Sequence, residues 1–280
     1  MRSQFKELLT MDEKFDNGSD AMRVTQNEAK RFYSRRDALI LGGIAATVVG
    51  LSPLDALAAE AAADSKPFEV LFVLYPKFTL QDFAGANEVF ARLSNVKVRI
   101  VSPEGGSIIS DTNVVLGETG KLSDVRSCDL LCVPGGTDRS SMMRSEVQEV
   151  LRRLAADAKY VTSICNGSLI LGAAGLLKGK RSACHWAQRS LLKQYGAIVD
   201  TARVVKDGRY MSGGGVTAGI DFALSVAAEL RGPVEAQVIQ LLMEYAPEPP
   251  FQSGSVETAP PEVVAAFKKR FGSLATTAGL

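Results

Sequence analysis

One cysteine of this chain lies where an apolar, β-rich segment gives way to a helical segment. The chain reads Ser163-Ile164-Cys165-Asn166-Gly167 at this point. Small residues around a nucleophile let the backbone turn sharply and hold the side chain in a strained, exposed position. The positive end of the following helix favours the thiolate form of a cysteine. We therefore predict that Cys165 is a nucleophile; the alternative is a buried structural thiol.

The chain contains one histidine, His185. This count excludes every metal site that needs two or more imidazoles, and it leaves one possible catalytic imidazole. His185 could pair with Cys165, or it could be a structural residue of the turn Cys184-His185-Trp186. A disulfide between Cys165 and Cys184 is conceivable in an oxidising compartment.

The two remaining cysteines, Cys128 and Cys132, lie four residues apart on or near a predicted strand. In an extended chain they are roughly 13 Å apart, which is too far to share a metal ion or form a disulfide. We interpret both as core thiols, and we expect neither a metal nor a cofactor.

The composition is that of an ordinary globular protein, with 46% hydrophobic and 22% charged residues. The 32 Lys and Arg residues nearly balance 31 Asp and Glu residues, which gives a formal net charge of +1. A nucleic-acid-binding domain usually carries a basic excess. We therefore expect no nucleic-acid partner.

Strand-like and helix-like segments alternate from Phe68 onward, which is typical of an α/β fold with a mostly parallel sheet. Apolar, β-rich composition predicts strands, and apolar residues at three- and four-residue spacing predict helices. The predicted strands are 68–75, 96–102, 129–133 and 160–164, with a hairpin in 199–212 around Asp207-Gly208. The predicted helices are 82–93, 147–156, 217–230, 234–245 and 262–271.

The N-terminal region resembles a twin-arginine export signal. Arg35 and Arg36 precede an uncharged run from Ala38 to Leu54, and Ala56-Leu57-Ala58 offers a cleavage site. The alternative is an amphipathic helix with an incidental arginine pair. We expect a signal peptide at 1–58, a linker at 59–66, a domain at 67–246, and a proline-rich arm with a C-terminal helix at 247–280. The stretch 247–261 should be rigid and extended, because it holds five prolines that cannot lie in a helix interior. The expected location is the periplasm, without membrane attachment after cleavage.

Several motifs together resemble the DJ-1/PfpI superfamily, and within it the isonitrile hydratase branch. The motifs are Leu80-Gln81-Asp82-Phe83-Ala84-Gly85, Val133-Pro134-Gly135-Gly136, Cys165-Asn166-Gly167-Ser168, Gly213-Gly214-Gly215-Val216-Thr217 and Ala259-Pro260-Pro261-Glu262-Val263. This resemblance implies a flavodoxin-like, class I glutamine amidotransferase-like sandwich. It also implies a small-molecule substrate, a homodimer and a reaction without a cofactor.

The resemblance assigns roles to particular residues. It implies that Cys165 is the nucleophile and that Asp82 is the acid beside it, with Glu88 as the backup. Without the resemblance, Asp82 would be interpreted as a helix N-cap. It further implies that the backbone N–H groups of Gly136 and Asn166 form an anion hole.

The sequence departs from the characterised hydratases at Asn166, where they carry threonine. We expect the Asn166 side chain to border the substrate pocket. On that basis, Asn166→Thr should raise isonitrile hydration by about tenfold, because it restores a hydroxyl.

The implied reaction is hydration of an isonitrile to an N-substituted formamide through a thioimidate on Cys165. Two alternatives stay open. One is a glyoxalase- or deglycase-like reaction on small aldehydes, and the other is a non-catalytic domain that senses a ligand or oxidation.

Overall fold

The alternation of β-rich and amphipathic segments is reproduced in a computed structural model, which describes residues 66–276. The strands are β1 Phe68–Val73, β2 Val96–Ser102, β3 Gly106–Ile109, β4 Val115–Lys121, β5 Leu130–Val133, β6 Tyr160–Ile164, β7 Arg181–Ser182, β8 Ile198–Val199, β9 Val204–Asp207 and β10 Tyr210–Gly213. The α-helices are α1 Leu80–Phe90, α2 Ser145–Asp157, α3 Gly167–Ala173, α4 Ala218–Arg231, α5 Pro233–Leu242 and α6 Pro261–Thr276.

The main sheet has eight strands in the order β3-β4-β2-β1-β5-β6-β10-β9. The pairs β4-β2, β2-β1, β1-β5, β5-β6 and β6-β10 are parallel. The two edge pairs, β3-β4 and β9-β10, are antiparallel. The predicted mostly parallel α/β sheet is confirmed, and so is the hairpin around Asp207-Gly208. The hairpin β3-β4 and the short parallel pair β7-β8 were not predicted.

Helices cover both faces of the sheet, and β1 shows how its residues divide between them. Leu71 and Val73 pack into a cluster with residues of α2 and α3. Val70 and Phe72 pack into a second cluster with residues of α1, α4 and α5. Because alternate side chains of a strand point to opposite faces, an almost entirely apolar strand is what a sheet covered on both sides requires.

The predicted boundaries differ from the observed ones by a few residues at most helix ends. The largest difference is at α6, which continues to Thr276, and the next are at α1 and α5, which end early at Phe90 and Leu242. The proline-rich segment before α6 contains no helix, as predicted. It is not extended throughout, because a turn closes at Ser255, whose carbonyl accepts hydrogen bonds from the N–H groups of Thr258 and Ala259.

The predicted signal peptide and most of the linker lie outside the described residues. Within the described part of the chain, no helix has the length and apolar character needed to cross a membrane.

Candidate active site

Three adjacent strands, β1, β5 and β6, end at the same edge of the sheet, and the predicted site residues follow them. The β1–α1 loop leads to Asp82, the turn after β5 contains Gly135 and Gly136, and Cys165 follows β6. The first two loops are joined by backbone hydrogen bonds: Thr79 N–H donates to the Gly135 carbonyl at 2.8 Å. Ligand sites in open α/β sheets gather at the carboxyl ends of strands, and here the topology brings the three segments together.

Cys165 occupies a strained turn between β6 and α3. Its φ of 56° lies in the left-handed region, which costs energy for a residue with a side chain. Its backbone N–H donates to the Gly213 carbonyl at 3.0 Å, which fixes the turn. A Cβ on Gly167 would approach the Val133 carbonyl oxygen to 2.1 Å, so only glycine fits there. The predicted nucleophile elbow is thus present, but Cys165 is buried rather than exposed, with 4% of its surface accessible.

Asp82 is fully buried in the first turn of α1, and its environment favours the protonated carboxylic acid. Oδ2 accepts a hydrogen bond of 2.7 Å from the Gly135 N–H. Oδ1 has no partner of normal hydrogen-bond geometry among the described residues. Burial is the main cause that raises the pKa of Asp82 from its usual 3.8 to about 8, although the Gly135 N–H and the Cys165 thiol lower it.

The helix-cap interpretation of Asp82 is excluded by this geometry. Thr79 occupies the N-cap position of α1, and the Asp82 carboxyl is directed to the turn after β5. A buried acid held in its protonated form beside a thiol can donate a proton near neutral pH.

The resting form of Cys165 differs from the prediction. Burial raises the pKa of its thiol well above the usual value, and the neighbouring Asp82 and Cys184 add to that increase. The Asn166 N–H and the Arg139 charge lower the pKa by smaller amounts. The predicted resting thiolate is therefore wrong, because desolvation outweighs the dipole of a helix that is only seven residues long.

Gly135 lies between the functional side chains and must be glycine. A Cβ built on it would lie 2.7 Å from Asp82 Oδ2, 2.7 Å from Asn166 Oδ1 and 2.9 Å from Cys165 Cβ. Contacts that short do not occur for real side chains, so any other residue would push the three groups apart. The sequence contains Gly135 in the motif Val133-Pro134-Gly135-Gly136, but the contacts that require glycine at this position arise only in the fold.

The Asn166 side chain holds the turn after β5 in place. Its Oδ1 accepts from the Gly136 N–H at 2.9 Å, and its Nδ2 donates to the Gly136 carbonyl at 2.9 Å. Nδ2 also donates to Gln188 Oε1 at 2.7 Å. Since both N–H groups of the amide are engaged, Asn166 positions the neighbouring loop as well as lining the cavity.

Both N–H groups of the predicted anion hole have partners in the free protein. The Gly136 N–H is engaged by Asn166 Oδ1, and the Asn166 N–H hydrogen bonds to the Cys165 sulfur. The anion hole stays a prediction, and it requires these hydrogen bonds to be exchanged for bonds to the substrate. The predicted gain from Asn166→Thr loses its basis, because threonine cannot replace the amide's paired hydrogen bonds to Gly136.

His185 lines the site without pairing with the nucleophile. Burial lowers its pKa below the usual 6.5, so the imidazole is neutral at pH 7. Its Nδ1 accepts from the Ala187 N–H at 3.3 Å, which leaves the ring proton on Nε2. Among the described residues no hydrogen bond joins His185 to Cys165. The alternative of a cysteine–histidine pair is therefore not supported.

A cavity of about 160 Å³ opens above Cys165, and we call it the inner cavity. Small-molecule sites usually measure about 300 to 1,000 Å³, so this space fits only a small reacting group. Its walls include Cys165, Asn166, Arg139, His185, Gln188 and Val216.

The polar residues of this wall that sequence reasoning missed are Thr79, Asp111, Thr137, Arg139 and Gln188. Arg139 and Gln188 are both buried. They lie on irregular segments with no motif around them, so no local signal marked them. The proposed backup acid, Glu88, is not part of the site. It is exposed on the outer face of α1 and pairs with Arg92 at 2.5 Å.

All four cysteines are free thiols, so the disulfide between Cys165 and Cys184 is not formed. Cys128 and Cys132 are buried in the core, and burial raises the pKa of each to about 12. Over residues 66–276, no three His, Cys, Asp or Glu side chains are grouped as metal ligands.

The fold and the site together define an α/β protein with a cysteine nucleophile elbow and a buried acid. The family model described as the DJ-1/PfpI family matches residues 68–229. The chain therefore belongs to the DJ-1/PfpI family, and the predicted fold class is confirmed.

Comparison with individual proteins shows which relatives this chain resembles. The chain is 47% identical over 203 residues to an isonitrile hydratase of Pseudomonas putida, covering 72% of this chain and 89% of the relative. A crystal structure of a ThiJ/PfpI family protein from Pseudomonas syringae is 39% identical, with a TM-score of 0.72, covering 75% of this chain and 88% of the other. A transcriptional regulator of Pseudomonas aeruginosa is 28% identical over 170 residues, which are 58% of this chain and 50% of the regulator.

Proposed function

We propose that this protein is a cofactor-independent enzyme that hydrates an isonitrile to an N-substituted formamide. The observation that carries the proposal is the buried pair of Cys165 and Asp82. Cys165 has a strained backbone conformation, and its thiol lies beside the Asp82 carboxyl, whose pKa is about 8. The likeness to the isonitrile hydratase of Pseudomonas putida supports the same reaction.

The resting protonation state suits this chemistry, because the first step adds a thiol across the isonitrile carbon. The Cys165 sulfur forms a bond to that carbon, and the proton of the thiol passes to the same carbon by way of the Asp82 carboxyl. The product of the step is a thioimidate, with sulfur and hydrogen on the former isonitrile carbon. No net charge develops on the enzyme, so the buried site does not need to stabilise a permanent ion.

Water completes the reaction by adding to the thioimidate carbon. One proton of the water reaches the nitrogen, and the carbon–sulfur bond then breaks with return of the second proton to the sulfur. The formamide leaves, and the thiol and Asp82 regain their starting protons. The balance is one isonitrile and one water for one formamide.

The test compares purified wild-type protein with Cys165→Ala, using a simple alkyl isonitrile and methylglyoxal as separate substrates. Wild type should hydrate the isonitrile, and the variant should lose turnover by about three orders of magnitude or more. Cys128→Ala is the matched control, because it removes a buried thiol outside the inner cavity.

Turnover of methylglyoxal without isonitrile hydration would instead establish the aldehyde-directed alternative. A protein inactive on both substrates, with a Cys165 that oxidises readily, would indicate a sensor.

We also propose that the enzyme is exported through the twin-arginine pathway and works in the periplasm. The proposal is supported by Arg35-Arg36, the uncharged run and the small residues at 56–58. Replacing both arginines with lysine should retain the precursor in the cytoplasm. Unchanged periplasmic accumulation of that variant would contradict the proposal.

We propose a homodimer as the assembled form. Four apolar side chains, Val234, Val238, Leu241 and Leu242, are exposed along one face of α5. Light scattering should give twice the protomer mass for wild type and a smaller mass for Leu241→Lys. A monomeric wild type would contradict the proposal.

A further inference from the structure

A second cavity adjoins the inner cavity, and His185 and Val216 belong to the walls of both. We call it the outer cavity. Its volume of about 340 Å³ lies within the usual range for small-molecule sites, whereas the inner cavity alone is too small for more than a reacting group. A molecule with its reactive carbon at Cys165 would extend past His185 and Val216 into this space.

The outer wall of this cavity comes from the C-terminal arm, which is distant in sequence from the nucleophile. Residues 254–257 line the space, and Glu257 pairs with Arg189 on the opposite wall at 2.9 Å. Farther along the chain, α6 packs the Phe267 ring against Trp186, with ring centroids 4.7 Å apart. The arm therefore adds a wall to the edge beside His185 and forms one side of a partly open cavity.

The polar lining of the outer cavity is rich in hydrogen-bond donors. The lining includes two guanidinium groups, those of Arg189 and Arg203, and one carboxylate, that of Glu257. Arg203 is held firmly by Asp221, with which it makes two hydrogen bonds of 2.7 and 2.9 Å.

Arg189 is the guanidinium that can most easily change its partner. Its side chain is 24% exposed, while that of Glu257 is 54% exposed on the arm. An ion pair with one well-solvated partner contributes little stability, so an incoming carboxylate can displace Glu257 at small cost. A guanidinium also binds a carboxylate through two parallel hydrogen bonds.

We propose that the outer cavity is the subsite for the nitrogen substituent of the isonitrile, and that Arg189 binds a carboxylate carried by that substituent. The inference rests on the proposed hydration reaction for the identity of the reacting group. It adds the substrate class, which is an isonitrile with an acidic substituent rather than a bare alkyl group.

The experiment uses the two halves of one ion pair as matched variants. The substrates are ω-carboxyalkyl isonitriles with spacers of increasing length, each compared with a branched alkyl isonitrile of the same length. The measured quantity is the ratio of kcat/KM for the acidic substrate to that for its neutral partner, in wild type, Arg189→Met and Glu257→Gln.

At the best spacer length, wild type should prefer the acidic substrate by about tenfold or more, which is typical of a hydrogen bond to a charged group. Arg189→Met should abolish the preference. Glu257→Gln should keep or increase it, because the competing carboxylate is gone. If Arg189 and Glu257 only anchor the arm, both variants change the ratio in the same direction, and that result would overturn the proposal.

Binding separates failure of this inference from failure of the proposed function. Calorimetry with Cys165→Ser protein measures the affinity for the acidic and neutral formamide products without turnover. A preference for the acidic formamide that Arg189→Met removes supports the subsite even if wild type hydrates no isonitrile. Equal affinity for both formamides overturns the subsite whatever the turnover.

Discussion

The inner and outer cavities are built from different kinds of contact. At the inner end, Asp82 and Cys165 are buried and held by backbone groups, namely the Gly135 N–H on Asp82 and the Gly213 carbonyl on Cys165. At the outer end, the arm is held by side chains alone at the two contacts described, the exposed Arg189–Glu257 pair and the Trp186–Phe267 ring contact.

This difference separates the requirements of chemistry from those of selectivity. A buried polar group that loses its partner costs considerable free energy, so the inner end tolerates little change. An exposed ion pair contributes about 0 to 1 kcal/mol, so the outer end can exchange partners at low cost. The reacting groups of the inner cavity can thus stay unchanged while residues of the arm change to bind a particular substituent of the substrate.

The largest expected effect is at the buried acid. Asp82→Asn removes the proton donor and should lower kcat/KM for an alkyl isonitrile by about 10² to 10⁴ fold. In wild type the rate should fall as pH rises through about 8, because Asp82 loses its proton there. Steady-state rates between pH 6 and 10 check both statements. A variant with wild-type rates would mean that another group supplies the proton.

The same carboxyl makes stability depend on pH. Because burial raises its folded pKa from 3.8 to about 8, the folded protein keeps a proton that the unfolded chain releases. Its contribution is fully present below pH 4 and is lost as pH rises through 8, with a total on the order of a few kcal/mol. Urea unfolding at several pH values should show Asp82→Asn gaining stability relative to wild type between pH 4 and 8. A difference independent of pH would contradict the raised pKa.

The next effect concerns Gly135, where the inner end is most crowded. Gly135→Ala places a methyl group within 2.9 Å of three site atoms, so it should lower kcat by about 100-fold through misplacement of the reacting groups. Gly117→Ala is the matched control, since its nearest neighbour would be 3.9 Å away. If both substitutions leave the rate unchanged, the inner end is more adaptable than its contacts indicate.

The sequence predicted the parts of the site that depend on local chain geometry. The strand-to-helix turn at Cys165 follows from the residues next to it in the chain. The parallel sheet follows from the alternation of strand-like and helix-like segments. Arg139 and Gln188 reach the inner cavity from irregular segments, and the side-chain pairing of Asn166 with Gly136 depends on how two loops meet. The raised pKa of Cys165 has the same origin, since burial is a property of the assembled fold.

A smaller effect is expected at Asn166, whose side chain is hydrogen bonded to Gln188 in the wall of the inner cavity. Asn166→Thr leaves the buried Gly136 N–H and Gln188 Oε1 without this partner, which costs about 1 to 3 kcal/mol. The kcat/KM for an alkyl isonitrile should fall by about tenfold, and the melting temperature should fall as well. A rise in hydration would show that a hydroxyl beside the nucleophile matters more than the position of the loop.

The smallest effect should come from the ring contact that anchors the arm. Phe267→Ala removes one aromatic pair, worth about 0.5 to 1.5 kcal/mol, from a partly exposed position. In a chain of this size the melting temperature should fall by only about 2 to 6 °C. The kcat/KM for a short alkyl isonitrile should change by less than about twofold, because such a substrate reacts at the inner cavity. Phe251→Ala, at a site 77% exposed, is the control for losing a ring on the arm. A tenfold loss with the short substrate in Phe267→Ala alone would mean that the arm shapes the inner site too, and the separation between the two ends would then fail.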